Sequence, residues 1–180
     1  MATPSTPHLT HHHQRGLLGL RRVPGRLALW VFRFPLRLYR RGWGWMLGRT
    51  FLMFEHIGRR TGKRHQAVAM VLADDPLTGE LVICSGWGPH VDWVRNLRAG
   101  PATEVQIGRD RFVPAHRFLP EDEAVAVGRA FRARHGGRLR LASTILGWGD
   151  LSTDQAIRAF VQGHPFVALR RDAGGSEQAP

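Results

Sequence analysis

Six short segments rich in Val, Ile and Phe, each ended by turn-forming residues, set the tightest limit on what this chain can fold into: residues 50–56, 65–73, 80–85, 102–107, 111–119 and 165–171. Branched and aromatic side chains fit a pleated, half-buried surface, and Gly, Pro and Asp clusters interrupt it. Asp74-Asp75-Pro76-Leu77-Thr78-Gly79 reads as a hairpin loop, and Gly108-Arg109-Asp110 as a tighter one. Helical patches fall between the strands. Val91, Val94 and Leu97 stand three apart within 90–99. Pro120 with Glu121, Asp122 and Glu123 opens a second helix, which continues through Val125 and Phe131 toward Gly136-Gly137. A third amphipathic patch spans 153–161. The pattern is α+β and mostly β: an antiparallel sheet or barrel with short flanking helices.

At 180 residues, 43% hydrophobic and 22% charged, the chain has the size and balance of one domain with a core. Composition divides it into a disordered tail over 1–16, a basic aromatic segment over 17–47, a folded domain over 48–171 and a disordered tail over 172–180. The apolar run 27–32 is interrupted by Arg33 and Pro35, well short of the roughly 18 to 20 residues of a spanning helix. With no secretory signal pattern either, a cytoplasmic location is the default expectation. The single Cys84 sits in an apolar run and reads as a buried small hydrophobe. His11, His12 and His13 lie in the floppy tail, where ligands are not held on a fixed tetrahedron, so no metal site is expected.

The net charge of +12 is unevenly distributed: no acidic residue precedes Glu55, whereas nine arginines do. Over 17–47 those arginines interleave with Trp30, Phe32, Phe34, Tyr39, Trp43 and Trp45. Such a segment suits either an anionic membrane surface, giving a protein peripheral at the inner face of the cell membrane, or a helix packed by its aromatic stripe. A basic module binding nucleic acid is the competing reading, but no RNA-binding signature accompanies the charge, and nucleic acid is not the expected partner.

The chemistry concentrates in two turns. Gly58-Arg59-Arg60-Thr61-Gly62-Lys63-Arg64 holds four cations in six residues together with two glycines, and Lys63 is the only lysine among twenty-six basic side chains. Glycine permits a tight turn and close backbone approach, so the run reads as an anion clamp between strands. Ser85-Gly86-Trp87-Gly88 ends another strand and leads to a helix bearing Asp92, Trp93 and Asn96. If the strands before these turns are neighbours, a planar ligand can lie on the second turn with an anionic arm on the first, as a flavin-like nucleotide would.

Leu38-Tyr39-Arg40-Arg41-Gly42, the Gly58–Lys63 run, Ser85–Gly88 and Asp92-Trp93-Val94-Arg95-Asn96-Leu97 together resemble the deazaflavin-dependent nitroreductase family, also called deazaflavin-dependent quinone reductases, over roughly residues 35–171. The resemblance implies a split β-barrel related to proteins binding flavin mononucleotide (FMN), with coenzyme F420, an 8-hydroxy-5-deazaflavin, as cofactor and hydride transfer to a lipophilic quinone or similar acceptor. It further implies that Arg59, Arg60, Thr61, Gly62, Lys63 and Arg64 hold the phosphate and oligoglutamate arm, and that Ser85, Gly86, Trp87 and Gly88 line the ring. Trp93 and Asn96 are also cofactor candidates, although a helix anchor for Trp93 and a backbone cap for Asn96 are the preferred readings. Nitro-reducing members carry C-terminal tyrosines that this chain lacks, since Tyr39 is its only tyrosine. His90, Tyr39 and Ser85 are candidate proton donors, while His56 and His116 read as structural. The same fold binding FMN or haem, or carrying a cofactor without turnover, is the alternative, and fold analogy gives a homodimer as the expected assembly.

Overall fold

The computed structural model describes residues 35–172. The tails 1–16 and 173–180, and residues 17–34 of the basic aromatic segment, lie outside the described residues. Residues 35–40 form a short helix, α1, and Gly44–Leu47 a 3-10 turn. Seven strands follow, interleaved with three helices: β1 (Phe51–Ile57), β2 (Arg64–Asp75), β3 (Glu80–Cys84), α2 (Asp92–Ala99), β4 (Ala102–Ile107), β5 (Asp110–Phe112), β6 (Pro114–Phe118), α3 (Glu121–Leu146), α4 (Asp154–Gly163) and β7 (Phe166–Arg171).

All strand pairs are antiparallel, in the order β5-β4-β1-β2-β3-β7-β6. The two edge strands, β5 and β6, are consecutive in sequence and separated only by Val113. Connectivity therefore brings the sheet's edges together, and the result is a nearly closed seven-strand antiparallel barrel with a few helices. The single strand expected over 111–119 is corrected here to two. Phe112 pairs with Val105 of β4, whereas Pro114 pairs with Arg171 of β7. A proline has no N–H for a ladder and sits best at a strand's first residue, which is where Pro114 starts β6.

Turn chemistry sets the register. The Asp75 carboxylate accepts from the Leu77 N–H at 2.9 Å and the Thr78 hydroxyl at 2.8 Å, which holds it below the usual carboxylate range. Gly79, at φ +67°, closes that loop. Alternation along the strands then sorts side chains into two cores. Leu52, Phe54, Ile83, Val105, Ile107 and Leu169 fill the barrel. Val82, Phe166 and Ala168 face outward, against Val125, Phe131 and Leu139 of α3 and Ile157 of α4. Because β3 and β7 are covered on both sides, they read as continuous apolar runs.

Helix α3 does not end at Gly136-Gly137 as the sequence suggested. It kinks at His135 (φ −136°, ψ 37°) and runs on to Leu146, where Gly147 at φ +70° supplies the left-handed stop. Two glycines cost helix propensity, but Leu139 and Ser143 beyond them are buried, and tertiary packing overrides the local preference.

Candidate active site

The basic turn joins β1 to β2. The Gly58 N–H bonds to the Lys63 carbonyl at 2.8 Å, the Gly62 N–H returns to the Gly58 carbonyl at 2.8 Å, and Gly62 adopts φ +64°. A Cβ on Gly58 would lie 2.8 Å from the Thr61 hydroxyl and 2.9 Å from His65 Nε2, so the position requires glycine.

From below, Asn96 of α2 pins the turn. Its Oδ1 accepts from the Arg59 backbone N–H at 3.2 Å and from Arg59 Nη1 at 3.0 Å, and its Nδ2 lies 3.0 Å from His56 Nδ1. Two donors on Oδ1 fix the amide orientation, and His56 Nδ1 is then the acceptor of a neutral ring. Burial, followed by the nearby His65, pushes His56 below its ordinary 6.5. The expected backbone cap for Asn96 is therefore the Arg59 amide.

The four cations divide into two pairs. Arg59 also bonds to Asp92 at 3.1 Å, and Arg64 bonds to Glu55 at 2.9 Å. Among the described residues, the Arg60 and Lys63 side chains have no such partner and stand exposed. Thr61 is exposed, its hydroxyl accepting from the Lys63 N–H at 3.3 Å.

A cavity of about 290 Å³ lies at the other end of the same strands. Phe51, Val68, Ala69 and Met70 of β1 and β2 form its floor, and Gly86, Trp87 and Trp93 one side. The second half of α3 lines it as well, with Arg138, Leu141, Ala142, Ile145 and Leu146, followed by Trp148. Among the described residues, Arg138 is the only charged one on the wall. Val68 stands four residues after Arg64, where β2 begins beside the turn, roughly 13 Å along the strand. Trp93 and Asn96 share α2, so one helix faces both features. Trp93 packs edge-on against Phe54 at 5.3 Å, in keeping with its reading as a helix anchor, and also lines the cavity.

The second turn is held rigidly. The Ser85 hydroxyl donates to the Gly88 carbonyl at 2.6 Å, the Ser85 N–H bonds to the Pro165 carbonyl at 3.0 Å, and Trp148 Nε1 donates to the Gly86 carbonyl at 2.8 Å. Gly86 and Trp87 reach the cavity, whereas Ser85 and Gly88 support them from behind. A buried Ser85 hydroxyl already bonded to a carbonyl fits a structural role better than proton delivery. Tyr39 is buried likewise, its hydroxyl donating to the Phe51 carbonyl at 2.7 Å, and burial pushes its phenol up to about 12. His90 is exposed and does not line the cavity. Cys84 does line it, and burial raises its thiol to about 12, so it is a neutral wall group.

Arg138, Leu141, Ile145 and Trp148 were not singled out from sequence. A 3.6-residue apolar repeat continuing past Gly136-Gly137 was the available signal. His116, read as structural, bonds through Nε2 to the Leu97 carbonyl at 2.9 Å. Among the described residues no group of His, Cys, Asp and Glu could hold a metal ion, and no helix is long and apolar enough to cross a membrane.

The nearly closed barrel thus carries an apolar, tryptophan-walled cavity and, at the far end of the same strands, a cationic turn. The family model for F420H(2)-dependent quinone reductase matches residues 31–135, more than half of the chain. The chain belongs to this family, and is thus an F420-dependent oxidoreductase. No curated protein matches it. Among solved structures it is similar to an F420-H2 dependent reductase, at 18% identity over 68% of this chain and 96% of that one, with a TM-score of 0.45. It is also similar to a protein described as a domain-swapped dimer (17% identity, 80% and 99% coverage, TM-score 0.47). A pyridoxamine 5'-phosphate oxidase-related, FMN binding protein from Nostoc punctiforme is a further neighbour (12% identity, 79% and 80% coverage, TM-score 0.43).

Proposed function

We propose that this protein accepts reduced F420 along the cavity and the basic turn, and passes hydride to a lipophilic quinone. The single observation that carries the reading is the pairing of an apolar cavity of about 290 Å³ with two uncommitted cations, Arg60 and Lys63, on the turn at its far end. The residues fit the cofactor: Gly86, Trp87 and Trp93 would hold a flat ring, and Arg60 and Lys63 a long acidic arm. When bound, the reduced cofactor supplies the hydride. The chain's own part is to bind, orient and exclude water. Trp148 fixes the Gly86 carbonyl, Ser85 fixes the Gly88 carbonyl, and the α3 face keeps the wall dry. Arg59 and Arg64 serve the shape of the turn, which leaves the ligand to Arg60 and Lys63.

Titrating the purified protein with F420 and following cofactor fluorescence should give saturable binding below about 0.1 mM. Anaerobic mixing of reduced F420 with 1,4-naphthoquinone should then oxidise the cofactor in proportion to protein. No saturable binding removes the cofactor assignment, whereas binding without turnover removes the quinone.

The half-exposed Trp43 and Trp45, with exposed Met46 beside Arg40 and Arg41, favour delivery of such an acceptor from an anionic bilayer surface. Co-sedimentation with anionic vesicles, reduced by Trp43→Ser with Trp45→Ser, tests this. Light scattering tests the homodimer expected from the fold.

A further inference from the structure

We infer that Arg138 is the group that binds the acceptor's carbonyl oxygen and stabilises the negative charge it gains. The inference rests on the quinone reading above and adds a residue beyond the 31–135 family match. Arg138, Leu141, Ala142 and Ile145 all line the cavity and follow the spacing of one helical face. Three of these positions are apolar and the first is a cation. Of the other arginines on α3 and α4, Arg129 and Arg132 pair with Asp154 and Arg158 with Glu121, whereas Arg134 and Arg140 form no salt bridge among the described residues but do not line the cavity. Among the described residues Arg138 has no carboxylate partner, so its guanidinium is free to bind what enters.

Elimination points the same way. The hydroxyls of Tyr39 and Ser85 are bonded to backbone carbonyls, the indole N–H of Trp148 is bonded to Gly86, and His90 lies off the wall. The indole N–H groups of Trp87 and Trp93, Thr50 and the neutral Cys84 thiol are the remaining polar side-chain groups there, and none carries charge.

When hydride reaches a quinone, a new bond to hydrogen forms on the acceptor and the electron pair of one carbonyl moves onto its oxygen. An arginine N–H aimed at that oxygen binds the anion more strongly than the ketone, which lowers the barrier. Arginine remains protonated throughout, so the final proton comes from water at the open end of the cavity. Arg138 thus stabilises charge and does not act as the acid.

A binding experiment without cofactor isolates the charge. Trp87, Trp93 and Trp148 line the cavity, so their fluorescence reports ligand entry. Two probes of nearly equal shape are neutral 1,4-naphthoquinone and 2-hydroxy-1,4-naphthoquinone, an anion at neutral pH. Arg138→Leu should weaken the anion by about 30-fold and the neutral probe by less than about threefold, Arg138→Lys should restore much of the difference, and Arg140→Leu, off the cavity on the same helix, should change neither. In turnover, Arg138→Leu should lower kcat about 100-fold with F420 affinity within about twofold of wild type. Equal binding of the anion by wild type and Arg138→Leu overturns the inference, as does a parallel loss of F420 affinity. Failure of the quinone reading is separate: wild type would then bind F420 without oxidising it by quinone.

Discussion

The turn over 58–64 and the α3 wall of the cavity contrast in how each is held. The turn is polar, local and fixed by hydrogen bonds of defined direction: Gly58 to Lys63, Arg59 to Asn96, Arg64 to Glu55. The wall is apolar and assembled over long sequence separation, with Leu141 and Ile145 reaching Val68 and Trp87 only through packing of α3 on the barrel. Hydrogen bonds fix positions of charge, which an anionic arm requires. Packing fixes a volume, which a flat ring and a lipophilic acceptor require. Each half can therefore be damaged without the other.

The largest effect should come from removing the support of the turn. Asn96 is buried, and Asn96→Leu leaves the Arg59 amide and His56 unpaired, which costs about 3 kcal/mol and lowers Tm by roughly 10 °C. Thermal unfolding monitored by circular dichroism checks this, and an unchanged Tm would remove Asn96 from the support. Next, Arg60→Ala with Lys63→Ala should weaken F420 about 100-fold while Tm stays within about 3 °C, because neither side chain holds the fold. A matching fall in Tm would mean the turn's cations are structural and would blur the contrast.

On the wall side the expected change is smaller. A Cβ at Gly86 would meet Trp148 at 3.4 Å and Leu146 at 3.5 Å, which is tight but tolerable contact. Gly86→Ala should therefore fold and raise the quinone KM a few fold, and Gly86→Val about tenfold, with the salt dependence of cofactor binding unchanged. A change in that salt dependence would tie the wall to the arm site after all.

Legibility in the sequence follows the same division. Gly58, Gly62, Arg60 and Lys63 are adjacent in the chain, so their turn could be read from local chemistry, and β1 to β4 and β7 from alternation between turn signals. Even there, the sequence did not separate Arg59 and Arg64, held by Asp92, Asn96 and Glu55, from the two free cations. That distinction depends on α2 lying under the turn, a contact across 37 residues. The wall was hidden for a related reason. Gly136-Gly137 looks like a helix end when only propensity is weighed, and Arg138 enters the cavity because α3 continues on tertiary contacts. Val113 could not be read as a break between strands, because the partner of each side, β4 or β7, is set by barrel closure.

The smallest effect lies in the titration of His56, and its sign tests the geometry of the turn. Burial and His65 hold His56 below 6.5 in the folded protein. As pH falls through 6.5 the unfolded chain takes up the proton first, so this group's contribution to stability is complete above 6.5 and is lost toward its folded value. Stability measured in urea should thus decline from about pH 7.5 to about pH 5.5. Asn96→Asp keeps an acceptor for Arg59 but turns a carboxylate toward His56 Nδ1, and the ring then gains a proton to donate. Its folded value rises above the unfolded one, so the contribution is present below 6.5 and lost as pH climbs through the raised value. The His56 slope should therefore reverse in Asn96→Asp, with His164, also held low by burial, contributing equally to both proteins. Identical slopes would mean that Asn96 does not face His56, and the polar half of the site would lose its fixed direction.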